Sequence, residues 1–151
     1  MDLLDDVQAR GVTLAAVGAV NRRDQVWATE AVRGLVARER SRMVAIDTCA
    51  AILLRGMPRG SLHRSARIPV VAPGGDETCA HAAGVASELL TGLASGDDPR
   101  VAAALRPLTG EQHFDVLLVL VRAAAGWIDA YVGIDGDTVD AYYAISKEEV
   151  T

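Results

Sequence analysis

The chain has 151 residues, half of them apolar and only six aromatic, and it carries a formal charge of −5. That length suits one domain with a real core, and high apolar content at modest net charge excludes disorder as the main state. Two cysteines, Cys49 and Cys79, are too few for the disulfide framework of a small secreted fold.

The start of the chain, Met1-Asp2-Leu3-Leu4-Asp5-Asp6, is the reverse of the basic region that opens a signal peptide. The apolar runs at 11–20 and 116–121 fall well short of the roughly 18–20 residues of a spanning helix. The expectation is a cytoplasmic protein with reduced thiols and no membrane span. Charge is divided unevenly: residues 1–75 hold 11 arginines against seven acids, and residues 76–151 hold four basic residues against 13 acids. The economical reading is that the two halves attract each other, within a chain or across a dimer.

In chain order, Leu3, Leu4 and Val7 predict a short helix over 2–10, closed at Gly11. Residues 12–20 read equally as helix or strand, since so short an apolar run shows no clear period. Asn21 or Asp24 is placed to cap the next element. Val32, Val36, Met43, Ile46, Ala50 and Leu53 recur at helical spacing, so one long helix is expected over 24–54. Its seam is interrupted at Glu39, within the polar run 37–42. Gly56 and Pro58 then stop it. Residues 55–75 form a long basic irregular segment, with room for one short edge strand near 67–72, where Pro69 excludes a central position. Asp76 is read as the cap of a helix over 77–93. Asp98-Pro99 opens a short helix that ends before Pro107. Thr109 and Gln112 have capping-box spacing and begin a helix to about residue 132. That helix is apolar nearly all round, with Asp115, Arg122 and Asp129 as one polar stripe. Such a helix is central to a fold or lies in a subunit interface. Asp137 caps a last helix over 138–147.

Cys79 and His81 stand two apart, on different faces of a helix, and cannot share an ion. Glu77, His81 and Glu88 share one side, but the paired Cys and His spacing of a zinc site is absent. Three aspartates at 135, 137 and 140 fail the calcium-loop pattern, which needs glycine at its sixth position and glutamate at its twelfth. Gly74-Gly75 lacks a phosphate-loop pattern, and Asp76 and Glu77 would repel an anion at that helix start. Cys49 with His81 and one of Asp97 or Asp98 has the residue types of a cysteine hydrolase, yet Cys49 sits late in a helix, where the dipole disfavours a thiolate.

The one feature above background is the basic segment. Arg55, Arg59, His63, Arg64 and Arg67 fall within 55–67 with no acid among them. Arginine grips carboxylate or phosphate through its planar fork. A plain solvated loop is the ordinary reading of such a segment. As a binding surface, it suits an acidic protein surface better than nucleic acid, because it lacks an aromatic for base stacking and the whole protein is acidic. The expected object is therefore one all-α or nearly all-α domain over 1–151, a compact bundle of five to six helices. Its expected role is a non-enzymatic, homodimeric interaction or regulatory module with no cofactor and no metal. The alternative is a small metal- or cysteine-dependent hydrolase centred on His81, with Cys49, Glu77 or Glu88 as companions.

Overall fold

The computed structural model describes residues 2–54, 68, 70 and 77–131, and the expected helix over 138–147 lies outside them. Among the described residues there are six helices and no strand. They are α1 (Asp2–Asn21), α2 (Gln25–Val36), α3 (Glu39–Leu53), α4 (Glu77–Ser95), α5 (Asp98–Leu105) and α6 (Gly110–Tyr131). The chain is a helical bundle, as its periodicity predicts. None of these helices is long and apolar enough to cross a membrane.

The nearly all-apolar α6 is the axis of the bundle and packs against α1, α2, α3 and α4. Val116, Leu117, Leu120, Val121, Ala124 and Ile128 on it are buried. Among the described residues its apolar surface is therefore largely covered within one chain, which weakens α6 as a reason to expect a dimer. The capping box at its start is formed: Gln112 N donates to Thr109 Oγ1 at 3.2 Å, and Thr109 N donates to Gln112 Oε1 at 2.9 Å.

The first helix does not stop at Gly11. It continues to Asn21 and takes in residues 12–20, which resolves their ambiguity as helix. Gly11 is exposed, so it costs about 1 kcal/mol of helix propensity without disturbing packing. Burial of Thr13, Leu14, Ala16, Val17 and Ala19 just beyond it outweighs that cost. The buried Thr13 hydroxyl donates back to Ala9 O at 2.7 Å, so no polar group is stranded.

Two helix pairs are joined by the same turn. Asp24 N donates to Ala19 O and Arg23 N to Val20 O, while Asp97 N donates to Gly92 O and Gly96 N to Leu93 O. These are paired six-to-one and five-to-two closures around a left-handed residue. Gly96 occupies that position at φ 72° and Arg23 at φ 63°. The next residue caps the following helix: Asp24 accepts from Trp27 N at 3.2 Å and Asp97 from Arg100 N at 3.1 Å. The cap of α5 is thus Asp97 rather than Asp98, because the left-handed Gly96 leaves Asp97 as the half-in residue.

The single long helix expected over 24–54 is two helices. Arg38 is extended, with φ −126° and ψ 140°, and it separates α2 from α3. The polar run at 37–42 supplies the reason. The buried Ser41 hydroxyl donates to Leu35 O and, at 3.0 Å, to Arg38 O, and Arg42 Nη1 donates to Val36 O at 2.9 Å. Carbonyls left open at the end of α2 are met by side chains from the next helix. The break also lets α2 and α3 each pack on both α1 and α6. Arg40 holds Asp6 in a bidentate pair at 2.7 and 2.9 Å, tying α3 to the first turns of α1. Hydrogen bonding from Arg40 holds the Asp6 carboxyl below its ordinary value.

Candidate functional site

Arg55, Arg59, His63, Arg64 and Arg67 lie outside the described residues. What is described is Ile68, the residue that follows Arg67. Ile68 N donates to Thr91 Oγ1 at 3.0 Å, and the Ser87 hydroxyl donates to Ile68 O. Both main-chain groups of Ile68 are therefore taken by two hydroxyls one turn apart on α4, and Ile68 and Val70 pack against the core. Ile68 and Val70 are not in a strand. The bonds that an edge strand would make to a sheet are made to helix side chains instead.

The residues of the alternative chemistry are not brought together. Cys49 is fully buried in α3, and burial pushes its thiol up to about 12. His81 is exposed on α4. Glu88 is engaged by Arg100 in a bidentate pair at 2.8 and 3.1 Å, which clamps α5 to α4. Hydrogen bonding to Glu88 raises the Arg100 pKa. Glu77 opens α4, and its side chain is not among those described. Among the described residues, no three of His, Cys, Asp and Glu are grouped so as to hold a metal ion.

A feature that sequence reasoning missed is a groove of about 680 Å³ between α3 and α5. One wall is the α3 stripe Glu39, Arg42, Met43, Ile46 and Asp47. The other is the α5 stripe Asp98, Val101, Ala102, Leu105 and Arg106. Each stripe recurs at i, i+3 or i+4, and i+7 or i+8, the signature of one helix face. Leu93 of α4 and His113 of α6 complete the lining.

A comparison with protein-family models, with curated proteins and with solved structures found no match for this chain.

His113 is the titratable group that the groove perturbs. Partial burial and the nearby Arg42 guanidinium hold it below the ordinary 6.5, while Glu39 partly opposes them. A lowered histidine pKa means that the unfolded chain binds the proton more readily than the fold does. Its contribution to stability is present above pH 6.5 and is lost as pH falls through that value towards the folded one. The melting temperature should therefore drop between about pH 7.5 and about pH 5.5, and His113→Gln should show a smaller drop. Equal drops in thermal melts of the two proteins would remove His113 from the account.

Arg33 ties α2 to the start of α6. Its guanidinium lies 4.1 Å from the centre of the Phe114 ring and 3.2 Å from Glu111 Oε1. The pair is exposed and contributes a few tenths of a kcal/mol at most, so its role is to fix orientation. Exposed large apolar side chains among the described residues are Val7, Val26 and Trp27. The last two are adjacent at the start of α2.

Proposed function

We propose that the chain is a non-enzymatic interaction module that acts in the cytoplasm as a homodimer. In this reading Arg55, Arg59, His63, Arg64 and Arg67 grip an acidic protein partner. The observation that carries it is the anchor at Ile68. Thr91 and Ser87 fasten the main chain to α4 at the residue after Arg67, so the basic segment ends on a rigid base. Recognition segments work in this way, as variable chain mounted on a fixed scaffold.

Charge supports the choice of partner. Four arginines and a histidine without an acid offer several bidentate contacts to carboxylates. The acidity of the remaining chain and the lack of an aromatic within 55–67 both disfavour a nucleic-acid strand. Homodimerisation now rests on the Val26–Trp27 patch, where Val26 is 77% and Trp27 44% exposed.

The test uses an oligoglutamate peptide as probe and the full chain as receptor. Replacing Arg55, Arg59, Arg64 and Arg67 together by Gln should abolish capture and leave the helical circular-dichroism signal unchanged. Capture that survives the four substitutions would reject the reading. Preferential capture of single-stranded DNA, falling steeply with salt, would replace the acidic protein by nucleic acid.

A further inference from the structure

We infer that the patch at the start of α2 is self-complementary. Trp27 of one copy packs on Val26 of a second copy across a two-fold axis, and Arg23 of each pairs with Glu30 of the other. The inference rests on the homodimer reading above and names the contact through which that dimer forms. It is independent of residues 55–67.

The patch is an apolar centre between opposite charges. Val26 and Trp27 are exposed, Arg23 stands three residues before Val26, and Glu30 stands three residues after Trp27. On α2, Val26 and Glu30 lie on the side opposite the buried Ala28, Val32 and Leu35, with Trp27 beside them. Arg23 and Glu30 are exposed too, and among the described residues neither makes an ion pair. The other charges nearby are engaged. The Asp24 carboxylate accepts from Trp27 N, Arg33 holds Glu111, and Arg22 has an interaction of its own.

Symmetry then selects one arrangement. An isologous contact repeats every pair it makes. With the two α2 helices antiparallel and the axis between Val26 and Trp27, Trp27 meets Val26 of the second copy. The same operation brings Glu30 to Arg23 of the second copy, because the two charges are equally far from the axis. Both ion pairs form together and flank the apolar centre. A parallel contact would instead set Arg23 beside Arg23 and Glu30 beside Glu30, and like charges so placed oppose it. Tryptophan supplies burial of the kind that anchors interfaces, while the ion pairs fix the direction.

The α1–α2 turn keeps Arg23 against its backbone preference. Its φ of 63° is left-handed, where the matching α4–α5 turn uses Gly96. Glycine adopts that conformation without strain. An arginine held there, exposed and without an ion pair in its own chain, fits a side chain that acts on another molecule.

The test is sedimentation of the full chain over a concentration series. Four side chains from each copy bury less than the roughly 1,200 Å² of a standard interface, so the wild-type chain should dimerise with a Kd of micromolar order. Arg23→Glu and Glu30→Arg, both at exposed positions, should each raise that Kd about tenfold while the circular dichroism stays native. Each variant alone places two like-charge pairs across the axis. An equimolar mixture of the two restores both ion pairs and should form a heterodimer of wild-type affinity. Single variants that dimerise like the wild type, or a mixture no tighter than its components, would overturn the inference and leave the homodimer to another surface. A wild-type chain that stays monomeric at every concentration would overturn it together with the homodimer reading. A monomer that binds phosphatidylserine vesicles, and loses them on Trp27→Ala, would overturn it and assign the patch to a lipid surface.

Discussion

Leu120→Ala is expected to destabilise the bundle by about 3–4 kcal/mol, a large part of the roughly 5–15 kcal/mol that holds a domain of this size. Leu120 is fully buried on α6, the helix that packs against α1, α2, α3 and α4. Truncation removes its transfer energy and leaves a cavity. The core cannot readily close that cavity, because much of it is alanine: Ala16, Ala28, Ala45, Ala86 and Ala124 are all fully buried. Such side chains have no rotamers with which to reach into a void. Urea unfolding would read the cost, with Leu118→Ala as the control, since Leu118 is only partly buried. The control should lose less than about 2 kcal/mol. Equal losses would mean that α6 is not the axis of the fold.

Gly92→Val is expected to cost about 2–3 kcal/mol, from overpacking rather than from a void. A Cβ at position 92 would stand 2.8 Å from Val101 Cγ2, 3.4 Å from Val101 N and 3.5 Å from Asp97 O. The methyl in the way belongs to a β-branched residue that turns poorly about χ1, and Val101 is itself buried. α5 must then move off α4, which would strain the Arg100–Glu88 pair beside it. Gly84 is the comparison, on the same helix but exposed and with nothing within 4 Å of its Cβ position. Gly84→Ala should stabilise by up to about 1 kcal/mol from helix propensity alone. Melting curves of the two variants should move in opposite directions. If both rise, the close approach of α4 and α5 is not a constraint.

Those two sites show what could be read from the chain and what could not. The apolar character of α6 is written in its residues, as is the Thr109–Gln112 box, because local spacing determines both. The cap of α2 stays open between Asn21 and Asp24 in the sequence, and the fold uses Asp24. The break between α2 and α3 is not local. It depends on Ser41 and Arg42 turning back to the carbonyls of Leu35, Arg38 and Val36, a choice that the polar run at 37–42 leaves open. Gly11 reads as a stop but lies on an exposed face of a continuing helix, where tertiary packing overrides propensity.

Of the candidate sites, the groove was beyond reach of sequence reasoning. Its lining comes from residues 39–47, 93, 98–106 and 113, and no motif joins segments so far apart. A weak signal was present in His113, which sits at a helix start beside no obvious acid–base partner in sequence. Packing gives it Arg42 and Glu39 as neighbours. The hydrolase residues failed for the opposite reason. Cys49 and His81 suit a pairing by type, but core burial of one and exposure of the other depend on helix faces that pairing by residue type ignores.

The most direct test of the proposed interaction module is native mass spectrometry of the full chain mixed with equimolar oligoglutamate peptide and single-stranded DNA. The account predicts a dimer carrying the peptide and no DNA, with the peptide absent when the four arginines at 55, 59, 64 and 67 are replaced by Gln. A monomer that carries neither ligand, or a chain that takes the DNA and leaves the peptide, would contradict it.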